Sequence, residues 1–158
     1  NPSFIPCTPY GCLEILKYYN IDVKSKSVVI IGRSNIVGKP LMNLLSGSHD
    51  IGNATVTLCH SYTKNLKDYT SKADIIIAAV GKVNLITSDM VKENSIILDV
   101  GINRVPDNES DKGYRIVGDV DYKGLHGKVK AITPVPGGVG PMTITMLLSN
   151  TIKAAKII

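Results

Sequence analysis

The chain has no tryptophan, a single phenylalanine and only 5% aromatic residues. It lacks the stacking platforms on which single-stranded nucleic acid is read. Its net charge of +5 comes from scattered lysines, many with acidic residues between them, and no basic run occurs. This reads as an ordinary solvated surface, so no nucleic-acid partner is expected. A mild positive field also attracts phosphorylated or carboxylated small ligands. The three cysteines, Cys7, Cys12 and Cys59, are an odd number without a Cys-x-x-Cys pair. That argues against a disulfide framework and a structural metal, and fits a reducing compartment. No apolar run approaches the length of a bilayer crossing, so no membrane partner is expected. No basic-then-apolar leader is visible, and the opening Asn1-Pro2-Ser3-Phe4 reads as the middle of a longer protein. A cytoplasmic location is expected, with an organelle left open.

What is present is the composition of one globular domain: 158 residues, 44% hydrophobic and 20% charged. Helical and strand patterns alternate. Thr8 and Pro9 read as an N-cap and first residue, opening a helix over 8–20 on Cys12, Ile15, Leu16 and Tyr19. Continuous apolar runs predict strands at 27–31, 54–59, 74–80 and 95–100, with shorter ones at 116–120 and 131–133. Helices are expected at 37–46, 66–71 and from Met142 to about 156, a helical turn at 87–91, and a polar loop at 106–113. Continuous apolar strands alternating with helices imply a mostly parallel sheet covered on both faces, the doubly wound, Rossmann-like α/β class.

Two glycine motifs carry the chemistry. The first, Gly32-Arg33-Ser34-Asn35-Ile36-Val37-Gly38, follows the first buried strand and opens a helix. That is where a doubly wound sheet cradles a pyrophosphate. The spacing is Gly-x-Ser-x-x-x-Gly rather than the full three-glycine fingerprint, and a plain strand-to-helix turn is the competing reading. An NAD site places an acidic residue at the end of the second strand, but that strand here ends in His60-Ser61-Tyr62-Thr63. Arg33, inside the turn, offers a fork of donors to a 2′-phosphate, and Ser61 adds a hydroxyl. The pattern favours NADP. Val80 and Ile102, beside the strand-ending Gly81 and Gly101, are placed to pack on a nicotinamide ring. The second motif is Thr133-Pro-Val-Pro-Gly-Gly-Val-Gly-Pro-Met-Thr143. Three prolines and three glycines shape a loop whose backbone can approach a ligand closely.

Other candidates are plainer. His60 stands either to contact an adenine or to cap its strand. Asp99 and Asp119 lie near strand ends and read as structural. No general acid, base or metal-ligand set is present, so catalytic groups are expected from outside this chain.

Together Pro6-Cys7-Thr8-Pro9-Tyr10-Gly11, Gly32 to Pro40, Asp99-Val100-Gly101-Ile102-Asn103 and the Thr133–Thr143 loop resemble the methylenetetrahydrofolate dehydrogenase/cyclohydrolase family over nearly the whole chain. The resemblance implies an oxidoreductase and hydrolase of one-carbon metabolism and purine biosynthesis. It would oxidise 5,10-methylenetetrahydrofolate with NADP and hydrolyse the methenyl product to 10-formyltetrahydrofolate. By that resemblance Gly32, Arg33, Ser34, Ser61 and Ile102 bind NADP, Thr8 and Thr143 line its nicotinamide end, and Pro136 and Gly137 edge the tetrahydrofolate cleft. It also implies a homodimer. The family's Tyr-x-x-x-Lys pair and Asp-Gly segment do not occur here. Residues 1–158 are therefore read as the NADP-binding domain alone, inactive without an amino-terminal catalytic domain. A non-catalytic NADP-binding module is the alternative, and another two-domain NADP dehydrogenase, of shikimate type, a third.

Overall fold

The computed structural model describes residues 4–157. Five strands form one parallel sheet in the order β2 (Thr55–Cys59), β1 (Ser27–Ile31), β3 (Ile75–Ala78), β4 (Ile96–Asp99), β7 (Ala131–Ile132). The chain steps outward from β1 to β2, then crosses back to β3 on the other side of β1. The switch point therefore lies between the carboxyl ends of β1 and β3, where open α/β sheets bind ligands. The register pairs Ile30 with Leu58 on one side and Ile77 on the other.

Alternation along β1 divides the core. Val28 and Ile30 pack into a cluster with Leu13, Leu16, Leu41, Leu45, Ile75, Ile77 and Leu98. Val29 and Ile31 face the opposite way, with Ile76, Ala78, Ile86, Ile97 and Leu125. Burial on both sides explains why these strands read as unbroken apolar runs. Each fully buried Ile or Leu contributes on the order of 2 kcal/mol.

Helix α1 (Cys7–Tyr18) packs on α5 (Val139–Ala155), and Asn150 Nδ2 donates to the Ile5 carbonyl at 2.8 Å, tying the two ends of the chain together. α2 (Gly38–Ser46) follows β1, and α3 (Leu66–Thr70) follows β2. One face of α5 stays apolar and exposed, at Ile144, Leu147, Leu148 and Ile152.

Several boundaries differ from expectation. α1 begins at Cys7 with Pro6 in the cap position and no side-chain cap, so Thr8 is not the N-cap. α5 begins at Val139, three residues before Met142. The cause is shared: Pro9 and Pro141 sit third in their helices, where a missing N–H is not needed. β3 stops at Ala78 because the Val80 amide leaves the ladder for the Asp119 carboxylate. The polar loop expected at 106–113 joins the strands of a hairpin, β5 (Asn103–Pro106) against β6 (Tyr114–Val117), and the strand expected at 116–120 begins earlier and ends at Val117. A short 3-10 turn (Ser88–Met90) stands at the expected helical turn, and α4 (Tyr122–Leu125), capped by Asp121, was not foreseen. No helix among the described residues is long and apolar enough to cross a membrane.

Candidate functional site

The turn after β1 is built by two glycines. Gly32 has φ +114, and a Cβ there would strike the Ala79 carbonyl oxygen, so the turn lies directly against the chain leaving β3. Gly38, the first residue of α2, lies against the Gly32 carbonyl. Ser34 Oγ accepts the Val37 amide at 3.1 Å, and the Ser34 carbonyl accepts the Lys39 amide at 3.1 Å. The amides of Arg33, Ser34, Asn35, Ile36 and Gly38 have no acceptor among the described residues. Free amides at a helix N-terminus suit an anion.

Arg33 is exposed, with its guanidinium carbon 5.7 Å from the centre of the Tyr62 ring. This brings the turn after β1 to the end of β2, next to exposed Ser61. Sequence reasoning does not single out Tyr62; the aromatic residue immediately after the candidate serine is the available signal. Tyr62 also meets His60 edge-on at 6.2 Å, and His60 Nδ1 accepts the Tyr62 amide at 3.2 Å. His60 therefore caps the turn after β2. No carboxylate stands in the 60–63 turn to accept a ribose hydroxyl. An arginine fork over an aromatic face beside a free hydroxyl matches a 2′-phosphate.

On the other side of the switch point, Ile102 is 67% exposed and Val80 37% exposed, each just beyond the carboxyl end of a strand. Behind them lies a buried polar network. The Asp99 carboxylate accepts the amides of Gly101, Asp119 and Val120 at 2.9, 2.9 and 3.0 Å. Burial raises its pKa above the usual carboxylate range, against the pull of those three donors. Asp119 accepts the amides of Val80, Gly81 and Lys82. Both carboxylates are thus filled by donors from neighbouring backbone.

Thr143 Oγ1 donates to Thr8 Oγ1 at 3.1 Å, joining the N-terminal parts of α5 and α1. Pro136 and Gly137 are exposed in the loop before α5; the Val135–Pro136 peptide is cis, and Gly137 has φ +102. A groove of ≈ 1040 Å³ opens along α1, β4, β7 and this loop, lined in part by Ile15, Tyr18, Ile132, Thr133, Gly137 and Met142. It reaches Gly137 but includes none of Gly32, Arg33, Ser61 or Ile102. The candidate dinucleotide residues and the groove are thus separate features, and residues 33–36 of the turn are exposed. Among the described residues, no cluster of His, Cys, Asp or Glu is arranged to hold a metal ion.

A parallel sheet with a glycine turn and free amides at its switch point defines a dinucleotide-binding α/β domain. Comparison with known proteins narrows this. Residues 6–158 match the family described as tetrahydrofolate dehydrogenase/cyclohydrolase, NAD(P)-binding domain, and the chain belongs to that family. It is 58% identical over 154 residues to the bifunctional protein FolD of Chlorobium chlorochromatii, covering 98% of this chain and 52% of that protein. The crystal structure of the bifunctional enzyme FolD from Campylobacter jejuni is similar with a TM-score of 0.87 and 56% identity, over 97% of this chain and 51% of that one. The Trypanosoma brucei methylenetetrahydrofolate dehydrogenase-cyclohydrolase, complexed with NADP cofactor and inhibitor, superposes with a TM-score of 0.89 at 38% identity, over 97% and 51% of the two chains. The chain therefore spans about half the length of the curated relatives it matches.

Proposed function

We propose that this chain is the NADP-binding domain, residues 1–158, of a cytoplasmic enzyme that oxidises 5,10-methylenetetrahydrofolate to the methenyl form and hydrolyses that to 10-formyltetrahydrofolate. The observation that carries the cofactor choice is Arg33 lying over Tyr62 beside Ser61, where no carboxylate stands in the 60–63 turn. Gly32 and Ser34 line the pyrophosphate turn, and Arg33 and Ser61 clamp the 2′-phosphate. Ile102 packs on the nicotinamide ring, with Thr8 and Thr143 at that end. Pro136 and Gly137 edge the folate side, next to the groove that Gly137 helps to line. NADP⁺, when bound, supplies the hydride acceptor. These residues position it and exclude water, while groups that move protons belong to a preceding catalytic domain. The exposed apolar face of α5 supports a further folded unit packing there. The protein is proposed to be a homodimer, and light scattering that finds a monomer at high concentration overturns that point.

The test is calorimetric titration of the full-length protein with NADP⁺ and NAD⁺, repeated on Arg33→Ala. The expected result is a preference for NADP⁺ that collapses in the variant, together with NADPH formation from 5,10-methylenetetrahydrofolate by the parent. Equal affinity for both dinucleotides in the parent overturns the 2′-phosphate clamp. Binding without turnover favours a non-catalytic module.

A further inference from the structure

Asp119 is fully buried, yet among the described residues it makes no salt bridge. Its partners are three consecutive backbone amides, Val80 at 2.7 Å, Gly81 at 3.0 Å and Lys82 at 2.8 Å, and Asn103 Nδ2 at 3.0 Å. A buried carboxylate without a cation is costly unless its oxygens are filled by donors, and here they are. The arrangement is enforced from both sides. A Cβ at Gly101 would overlap the Asp119 carboxylate, and one at Gly118 would overlap that of Asp99. Asp99, by accepting the Asp119 amide at 2.9 Å, fixes the backbone from which the Asp119 side chain projects.

What this carboxylate holds is the edge of the cleft. The Val80–Lys82 segment leaves the carboxyl end of β3. The Ala79 carbonyl abuts Gly32, and Val80 Cγ1 lies 3.5 Å from where a Gly32 Cβ would stand. Asn103 follows the exposed Ile102 beyond β4. One carboxylate thus ties together the segments that follow β3 and β4, on the side of the switch point away from β2.

We infer that Asp119 is a positioning residue of the cofactor cleft, holding the Val80–Lys82 loop and the Ile102–Asn103 segment together as the one wall of the cleft that meets the Gly32 turn. The inference builds on the NADP reading above. A side-chain amide at 119 keeps one acceptor oxygen but turns an N–H₂ toward backbone N–H donors, so at least one of the three loses its partner. The loop then shifts relative to Gly32.

The experiment is NADP⁺ titration of full-length Asp119→Asn and Asn103→Ala beside the parent, with folding followed by circular dichroism and thermal melting. Asp119→Asn is expected to weaken NADP⁺ binding about tenfold or more, the scale of one lost buried hydrogen bond. Asn103→Ala, which leaves the three amides bound, is expected to weaken it in the same direction but less. A merely structural role would lower the melting temperature and leave the Kd of the folded fraction unchanged. A folded Asp119→Asn protein that binds NADP⁺ within about twofold of the parent overturns the inference alone. If Asp119→Asn does not fold, Asn103→Ala decides, and parental affinity there overturns it. A parent that binds no NADP⁺ overturns the cofactor reading and this inference with it.

Discussion

Gly38 rests against the carbonyl oxygen of Gly32, so close that a Cβ on residue 38 would overlap that oxygen and stand 3.1 Å from the Arg33 Cα. The contact is backbone on backbone and cannot be relieved by turning a side chain. It fixes the distance between the end of β1 and the start of α2, and with it the free amides of the turn. Gly38→Ala is expected to lower stability by about 1–3 kcal/mol and to weaken NADP⁺ binding more than Arg33→Ala does. Thermal melting and calorimetry measure the two effects. An alanine variant with parental affinity would show that the turn does not shape the phosphate site.

Thr8 and Thr143 are separated by 135 positions in the chain and share one hydrogen bond at 3.1 Å. Thr143→Val keeps the shape and removes the donor. A loss of about 1 kcal/mol is expected from denaturant unfolding. Because the two hydroxyls act as a pair, the Thr8→Val/Thr143→Val double variant should lose less than the two single losses added. Strict additivity would mean that the pair does not couple the helices.

Asp89 gives a prediction for pH. The Thr87 hydroxyl at 2.6 Å and the Lys67 ammonium at 2.9 Å hold its carboxyl down to about 2. A depressed folded value means that its contribution is complete above the unfolded value and is lost as pH falls toward about 2. Thr87→Ala removes the larger cause, so the Asp89 titration followed by NMR should move up toward the ordinary carboxylate range. An unmoved titration would assign the effect to Lys67.

The parts legible in the sequence were those with a local signature. The unbroken apolar runs at 27–31 and 74–80 marked central parallel strands because both faces are buried, and the glycine turn after the first of them marked the switch point. The missing acid after β2 and the arginine in the turn were equally local. What escaped depended on distant partners. The β5–β6 hairpin carries a half-exposed, polar pattern with little apolar alternation. The reach of Asp119 to Val80, a separation of 39 residues, has no periodicity to betray it. The starts of α1 and α5 were misplaced because Thr8-Pro9 and Met142 look like entry points, whereas proline at the third position lets each helix begin earlier.

The cysteines allow a prediction that separates burial from chemistry. Cys12 is wholly buried between α1 and the sheet, and burial pushes its thiol up to about 12. Cys59, at the end of β2, is 1% exposed and is also pushed up by burial, against a Thr63 hydrogen bond. Cys7 is half-buried, with Asn150 Nδ2 at 3.8 Å from its sulfur. At pH 8 a thiol titrating near 12 is thiolate in only roughly one molecule in ten thousand. Of these three, Cys7 alone is expected to react with an alkylating reagent in the native protein, and all three after denaturation, as read by mass spectrometry of peptides. Native labelling of Cys12 at a rate near that of Cys7 would mean that α1 opens from the sheet. The α1–α5 contact would then be too labile to keep the Thr8–Thr143 hydrogen bond in place.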